Sequence, residues 1–139
     1  MQIIGLEPGE ATPSLEMAPV HKVQLVKYAG ASGDFNLIHT DAETARAAGL
    51  GDVIAHGMLS MGFLGRYLTE LAGPENVRRL GVKFQAMVRL GDVLTCRGIV
   101  KARTPLADGR TLLTLEIWAE NQRGEKVTTG EGDVWVSPA

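Results

Sequence analysis

An aspartate and a histidine stand five positions apart in Ser32-Gly33-Asp34-Phe35-Asn36-Leu37-Ile38-His39. A carboxylate and an imidazole brought together can pass a proton between reacting atoms. An unperturbed imidazole titrates at about 6.5, which suits a base at neutral pH. Seventeen positions after His39, Ala55-His56-Gly57-Met58 opens a long apolar run. An acid–base pair followed by a helix start is an arrangement that can do chemistry. Each residue also has a plainer reading. Asp34 and Asn36 are common turn formers, and a lone His39 suits a surface or a satisfied core position.

The flanking chain must supply the elements that position these groups. Val23, Leu25, Val26, Tyr28 and Ala29 fit a short helix facing a core, ended by Gly30 and Gly33. No Ser, Thr, Asp or Asn precedes it as an N-cap. Asp41 reads as the N-cap of a second short helix, Ala42–Ala48, stopped by Gly49 and Gly51. The longest helix is expected over His56–Leu71. There Leu59, Phe63, Leu64, Tyr67, Leu68 and Leu71 recur at helical spacing, and Met58 and Met61 widen the apolar face. Gly57, Gly62 and Gly65 lie in or beside this run. Each interior glycine costs about 0.5–1 kcal/mol against alanine, so their number implies that something packs very closely on the helix.

Ser14–Val20 allows a strand that Pro19 confines to a sheet edge. Val77–Val88, Val93–Arg103, Thr111–Asn121 and Lys126–Val136 also read as strands. Turn signals at Gly91-Asp92, Asp108-Gly109 and Arg123-Gly124 separate them, and Gly130 with Gly132 marks a bulge or bend. The expected class is α+β, an antiparallel sheet packed on one apolar helix.

Composition narrows the function. The 139 residues suit one domain with one core, residues 1–139, and 45% hydrophobic content can fill it. A net charge of −2 gives no electrostatic case for nucleic acid. No apolar run reaches the roughly 18 residues of a membrane span, and Met1–Glu7 lacks the basic start of a signal peptide. The single cysteine, Cys96, forms no internal disulfide and suits a reducing cytoplasm. It reads as a small buried hydrophobe. Three histidines without partner cysteines do not suggest a structural zinc site, and nothing indicates a metal or a redox cofactor.

Tyr28-Ala-Gly-Ala-Ser-Gly-Asp-Phe-Asn-Leu-Ile-His39, followed by Ala55-His56-Gly57-Met58-Leu59, resembles the MaoC-like (R)-specific enoyl-thioester hydratases and (3R)-hydroxyacyl-thioester dehydratases. The order of elements also resembles their hot-dog fold, a curled antiparallel sheet around a long central helix. The family pattern usually has proline where this chain has Leu37, which leaves the turn less constrained. Many relatives carry a serine at the position of Gly62, so a supporting hydroxyl would come from Ser60, Ser32 or water.

The resemblance implies hydration of a trans-2-enoyl thioester of CoA or acyl carrier protein, and the reverse dehydration, without a cofactor. Asp34 and His39 would flank the catalytic water and share the proton transfers, in roles left open between them. The Gly57 N–H, at the exposed positive end of the long helix, would hold charge developing on the thioester oxygen. Asn36, His56 and Ser60 would line the substrate, with His56 open to a second reading as a structural cap. Arg78, Arg79, Lys83 and Arg89 read either as contacts for phosphates or as a solvated strand face. The Met58/Met61/Phe63 stripe reads as core. A homodimer is expected, with a heterodimer of related subunits as the alternative. Two other functions fit the fold: a thioester-binding partner subunit and an acyl-CoA thioesterase.

Overall fold

A computed structural model describes residues 3–138. The elements run β1 (Ala11–Glu16), α1 (Lys22–Ser32), a 3-10 turn (Leu37–His39), α2 (Ala42–Ala47), α3 (Gly57–Ala72), a second 3-10 turn (Pro74–Asn76), β2 (Val77–Phe84), β3 (Thr95–Pro105), β4 (Thr111–Glu120) and β5 (Lys126–Val136). The strands form one antiparallel sheet in the order β1-β3-β4-β5-β2, and α3 packs on β2, β3, β4 and β5. This is the α+β hot-dog arrangement that the sequence leads one to expect. No helix among the described residues is long and apolar enough to cross a membrane.

Strict alternation builds the centre of the sheet. Along β4, Leu113, Leu115, Ile117 and Ala119 are fully buried, while the residues between them are not. Helix α3 answers with Leu59, Leu64, Tyr67, Leu68 and Leu71. Each fully buried leucine contributes about 1.5–3 kcal/mol before entropy is counted. Met58 does not widen this face: it is 53% exposed. On α1 only Leu25 and Ala29 are buried, whereas Val23 and Val26 face outward. That helix does have a cap. His21 Nδ1 accepts from the Gln24 N–H at 3.2 Å, so a histidine serves where no usual capping residue stands.

The helix glycines mark the close approach only in part: a Cβ on Gly57 would stand 3.2 Å from Phe84 Cδ1. A Cβ on Gly62 would meet nothing, and one on Gly65 would make an ordinary contact. The tightest approaches to α3 are made by glycines of the sheet. A Cβ on Gly132 would stand 2.7 Å from Leu68 Cδ1, and one on Gly98 would stand 2.7 Å from Thr12 Oγ1. Helix α3 lies close because the strands beneath it are bare.

β3 and β4 lie within two residues of their expected bounds, and two other strands depart further. The first strand is Ala11–Glu16, an edge strand paired with β3, with its register shifted across Pro13. The strand expected over Val77–Val88 stops at Phe84. Beyond it the Gln85 and Ala86 amides both turn to the Val127 carbonyl, and Val88 leaves the ladder to accept from the Ala55 N–H at 2.8 Å. That departure brings Phe84–Val88 over the start of α3.

Gly130 faces Val82 in the β2–β5 pairing, where a Cβ would overlap the Gly81 carbonyl oxygen. Gly130→Ala is therefore expected to destabilise the fold by at least about 1–3 kcal/mol, seen as a lower urea midpoint. Gly62→Ala is expected to stabilise the fold by about 0.5–1 kcal/mol and so raise that midpoint. Equal midpoints for the two variants would contradict this account of the sheet.

Candidate active site

The site begins where α1 ends. Gly33 closes the helix in the left-handed region, at φ 75°, and its N–H bonds the Ala29 carbonyl. Three short side-chain turns follow in series. Ser32 Oγ accepts from the Asp34 N–H, Asp34 Oδ1 from the Asn36 N–H, and Asn36 Oδ1 from the Ile38 N–H, each at 3.2 Å. The third starts the 3-10 turn, which delivers His39 into the interior. Asp41 then caps α2 through the Thr44 N–H and hydroxyl. The Thr44 hydroxyl, ahead of the Thr44 amide, holds the Asp41 carboxyl below its ordinary range.

A second strand of chain locks this turn. The Ile54 N–H donates to the Ile38 carbonyl at 3.1 Å, and His39 Nδ1 donates to the Ile54 carbonyl at 2.7 Å. A carbonyl only accepts, so Nδ1 carries a proton, and in the neutral ring Nε2 has the lone pair. That lone pair faces Asp34 Oδ2 at 3.8 Å, too long for a direct hydrogen bond and short enough for both to hold one water. The His39 side chain is 10% exposed and the Asp34 side chain 52%.

His56 completes the cluster. It stands at the N-cap of α3 and makes no capping bond. Its Nε2 donates instead to the Asp34 carbonyl at 3.2 Å, and its ring stacks on His39 with centroids 3.9 Å apart. Burial, against the Asp34 carbonyl's pull, lowers its pKa below the usual histidine value. Gly57, the first residue of α3, is exposed, and its N–H makes no bond among the described residues.

A pocket of about 370 Å³ opens beside these groups, lined by His39, His56, Gly57 and Ser60 on one side and by Phe84, Ala86, Met87 and Val88 on the other. The structure thus gathers Asp34, His39, His56 and Gly57. Ser60 lines the pocket and Asn36 does not, and both also make bonds within the fold. Asn36 is a turn fastener. The Ser60 hydroxyl is occupied, donating to the Gly57 carbonyl at 2.8 Å and pairing with Thr128 Oγ1 at 2.6 Å, so it fixes the helix start. Sequence reasoning missed the Ile54 carbonyl, which acts through backbone. It also missed Phe84 and Met87, which read there as ordinary strand residues.

Asp34, His39 and His56 offer three donor atoms within 4.8 Å of one another. His56 Nε2 is already donating to the Asp34 backbone carbonyl, so it offers no lone pair while that bond holds. The trio is a poor cation cage. The basic residues near β2 are mostly engaged. Arg79 pairs with Glu131 and Asp133, Arg78 lies over Trp135 at 3.9 Å, and Arg89 donates to the Leu50 carbonyl.

Two expectations follow. The folded chain resists protonation of His56, whereas the unfolded chain takes up a proton at about 6.5. Stability is therefore full above that pH and falls below it, toward the depressed folded value. Urea midpoints measured from pH 7.5 down to 5.5 should drop more steeply for wild type than for His56→Gln. Leu37 opens the 3-10 turn, and its N–H makes no bond among the described residues; Asn36 already sits at ψ 123°, as a residue before proline must. Leu37→Pro is expected to raise stability by about 0.4–1 kcal/mol in thermal unfolding.

Residues 6–121 match the family model of the MaoC like domain. The (R)-specific enoyl-CoA hydratase of Rhodospirillum rubrum is 36% identical over 78% of this chain and 74% of its own length. The 3-oxo-4,17-pregnadiene-20-carboxyl-CoA hydratase beta subunit of Mycobacterium tuberculosis is 30% identical over 75% of this chain and 78% of its own. Among solved structures, the (R)-hydratase from A. caviae involved in PHA biosynthesis superposes with a TM-score of 0.79 at 25% identity, covering 96% of this chain and 98% of that one. The match over most of the sequence and the shared fold together make this chain a member of the MaoC-like domain family.

Proposed function

We propose that the chain is a hydro-lyase interconverting trans-2-enoyl and (3R)-3-hydroxyacyl thioesters, with Asp34 and His39 handling the protons. The observation that carries this reading is the gap of 3.8 Å between Asp34 Oδ2 and His39 Nε2 at a pocket that also exposes the start of α3. A water in that gap would be held by the carboxylate. His39 Nε2 takes one of its protons as the oxygen bonds to the β-carbon. The developing imidazolium is stabilised by the Asp34 carboxylate, and the dyad returns a proton to the α-carbon. One water is added across the double bond, and no net proton is gained or lost. Charge on the thioester oxygen is met by the Gly57 N–H. Dehydration runs the same steps backwards.

The names of two relatives specify CoA thioesters, which favours coenzyme A over a carrier protein here. The apolar wall of Phe84, Ala86, Met87 and Val88 suits an acyl chain. We take the chain to be one such domain, working in the cytoplasm as a homodimer. A relative named as a beta subunit keeps a heterodimer as the second assembly to test by light scattering. Both dyad members are present, which speaks against a purely binding subunit.

Purified protein is expected to hydrate crotonyl-CoA to the (R)-3-hydroxy product, measured by loss of enoyl absorbance and chiral chromatography. Asp34→Asn and His39→Ala should each lower kcat by about 10²–10⁴-fold. Wild-type rates in either variant would remove the dyad. Free thiol released from a saturated acyl-CoA would replace the hydro-lyase with a thioesterase.

A further inference from the structure

His56 contacts both members of the dyad while keeping one of its own nitrogens unsatisfied. Its Nε2–H is committed to the Asp34 carbonyl at 3.2 Å. A neutral ring with that proton has a bare Nδ1, and Nδ1 is buried without a partner among the described residues. The residue is only 2% exposed, with Tyr28 packed at 4.7 Å and His39 stacked at 3.9 Å with an interplanar angle of 23°. A lone buried acceptor costs about 1–3 kcal/mol. A serine or aspartate at this N-cap would serve helix α3 better, and a phenylalanine would fill the space without an orphan atom. Neither would both grip the Asp34 backbone and face the His39 ring. The placement is costly for stability and specific for the dyad.

We propose that His56 is a positioning residue for the hydration reaction: it fixes the Asp34 turn against the His39 ring, and by staying neutral leaves His39 Nε2 as the proton acceptor. This rests on the dyad reading above. Without His56, Asp34 itself is held by the side-chain bonds of its turn and by backbone bonds at the turn's two ends, Gly33 to Ala29 and His39 to Asn36, and Asp34 Oδ2 loses its fixed distance from Nε2. A displacement of about 1 Å at a reacting group can cost about 100-fold in rate.

The test compares His56→Ala, His56→Gln, which keeps an N–H donor, and His56→Phe, which keeps the ring, on crotonyl-CoA alongside Asp34→Asn and His39→Ala. The expected result is a kcat about 100-fold lower for His56→Ala at nearly unchanged KM, with at least tenfold recovery in His56→Gln or His56→Phe. Wild-type kcat in His56→Ala, or a raised KM at unchanged kcat, would overturn the proposal; the second result would make His56 a substrate wall. Full activity in Asp34→Asn or His39→Ala would instead show that the dyad reading itself is wrong. Should the His56 variants not fold, nitrogen NMR of the three histidines in wild type decides. At neutral pH His39 is expected as the Nδ1–H tautomer and His56 as the neutral Nε2–H tautomer. A charged or Nδ1-protonated His56 refutes the assignment.

Discussion

The depth at which α3 settles into the sheet governs everything carried on its first turn. Gly132 leaves β5 bare under Leu68, whose methyl groups would otherwise lie 2.7 and 3.0 Å from a Cβ. Gly98 does the same under Tyr67, where the phenol donates to the Pro13 carbonyl at 2.6 Å and pairs with the Thr12 hydroxyl at 2.5 Å. At the other end of the helix, Ser60 bonds Thr128 on β5. A rod fixed at both ends has no freedom to slide. The Gly57 amide and the His56 ring therefore take their positions from core packing rather than from a loop. Preorganisation of this kind avoids reorganising the site at the moment of reaction.

Two backbone carbonyls then decide the protonation pattern. Ile54 takes the His39 Nδ1–H and Asp34 takes the His56 Nε2–H. Neither carbonyl can return a proton, so both tautomers are fixed by groups that do not themselves titrate. The formal charges of the fold lie mostly elsewhere. Arg79, Lys101, Glu131 and Asp133 form a network on β2, β3 and β5, beside a cleft of about 650 Å³ that also exposes Glu116 and Lys126. These pairs are half-exposed, contribute little each and carry both signs, so the cleft offers no single charge to a ligand. Cys96 is equally remote from the chemistry: burial pushes its thiol up to about 12, which keeps it an inert core residue.

Much of the architecture was legible because it rests on local rules. Alternation along Leu113, Leu115 and Ile117 and the helical spacing of Leu64, Tyr67, Leu68 and Leu71 each have one physical solution. The bounds of β5 were readable for the same reason. What could not be read depends on neighbours distant in sequence. The bare surfaces proved to be Gly98 and Gly132 rather than Gly62 and Gly65, because whether a glycine is crowded depends on what the fold places opposite it. Val77–Val88 kept its alternation past the point where the Val127 carbonyl captured two amides and ended the ladder. At the site, side-chain chemistry marked Asp34, His39 and His56. The Ile54 carbonyl had no signature, since any residue there presents the same oxygen.

The two dyad members are held by different means, and the difference bears on their roles. His39 is buried and fixed by a backbone bond of 2.7 Å, so its ring cannot turn without breaking that bond. Asp34 is half-exposed on a turn whose side-chain bonds are all 3.2 Å, with one carboxylate oxygen committed to the Asn36 N–H. Its other oxygen can follow a moving proton by a small rotation. A fixed acceptor beside a slightly adjustable carboxylate suits a reaction whose proton leaves an oxygen and must arrive on a neighbouring carbon. On the dyad reading proposed above, the immobile imidazole would fix where water is deprotonated, and the adjustable carboxylate would follow the proton from that oxygen to the α-carbon. Exchanging these tethers, with the carboxylate buried and the imidazole on the turn, would place an ionised group in the poorly solvated interior. That would raise the carboxyl pKa and favour its neutral form. The fold thus buries the imidazole and leaves the carboxylate in contact with water.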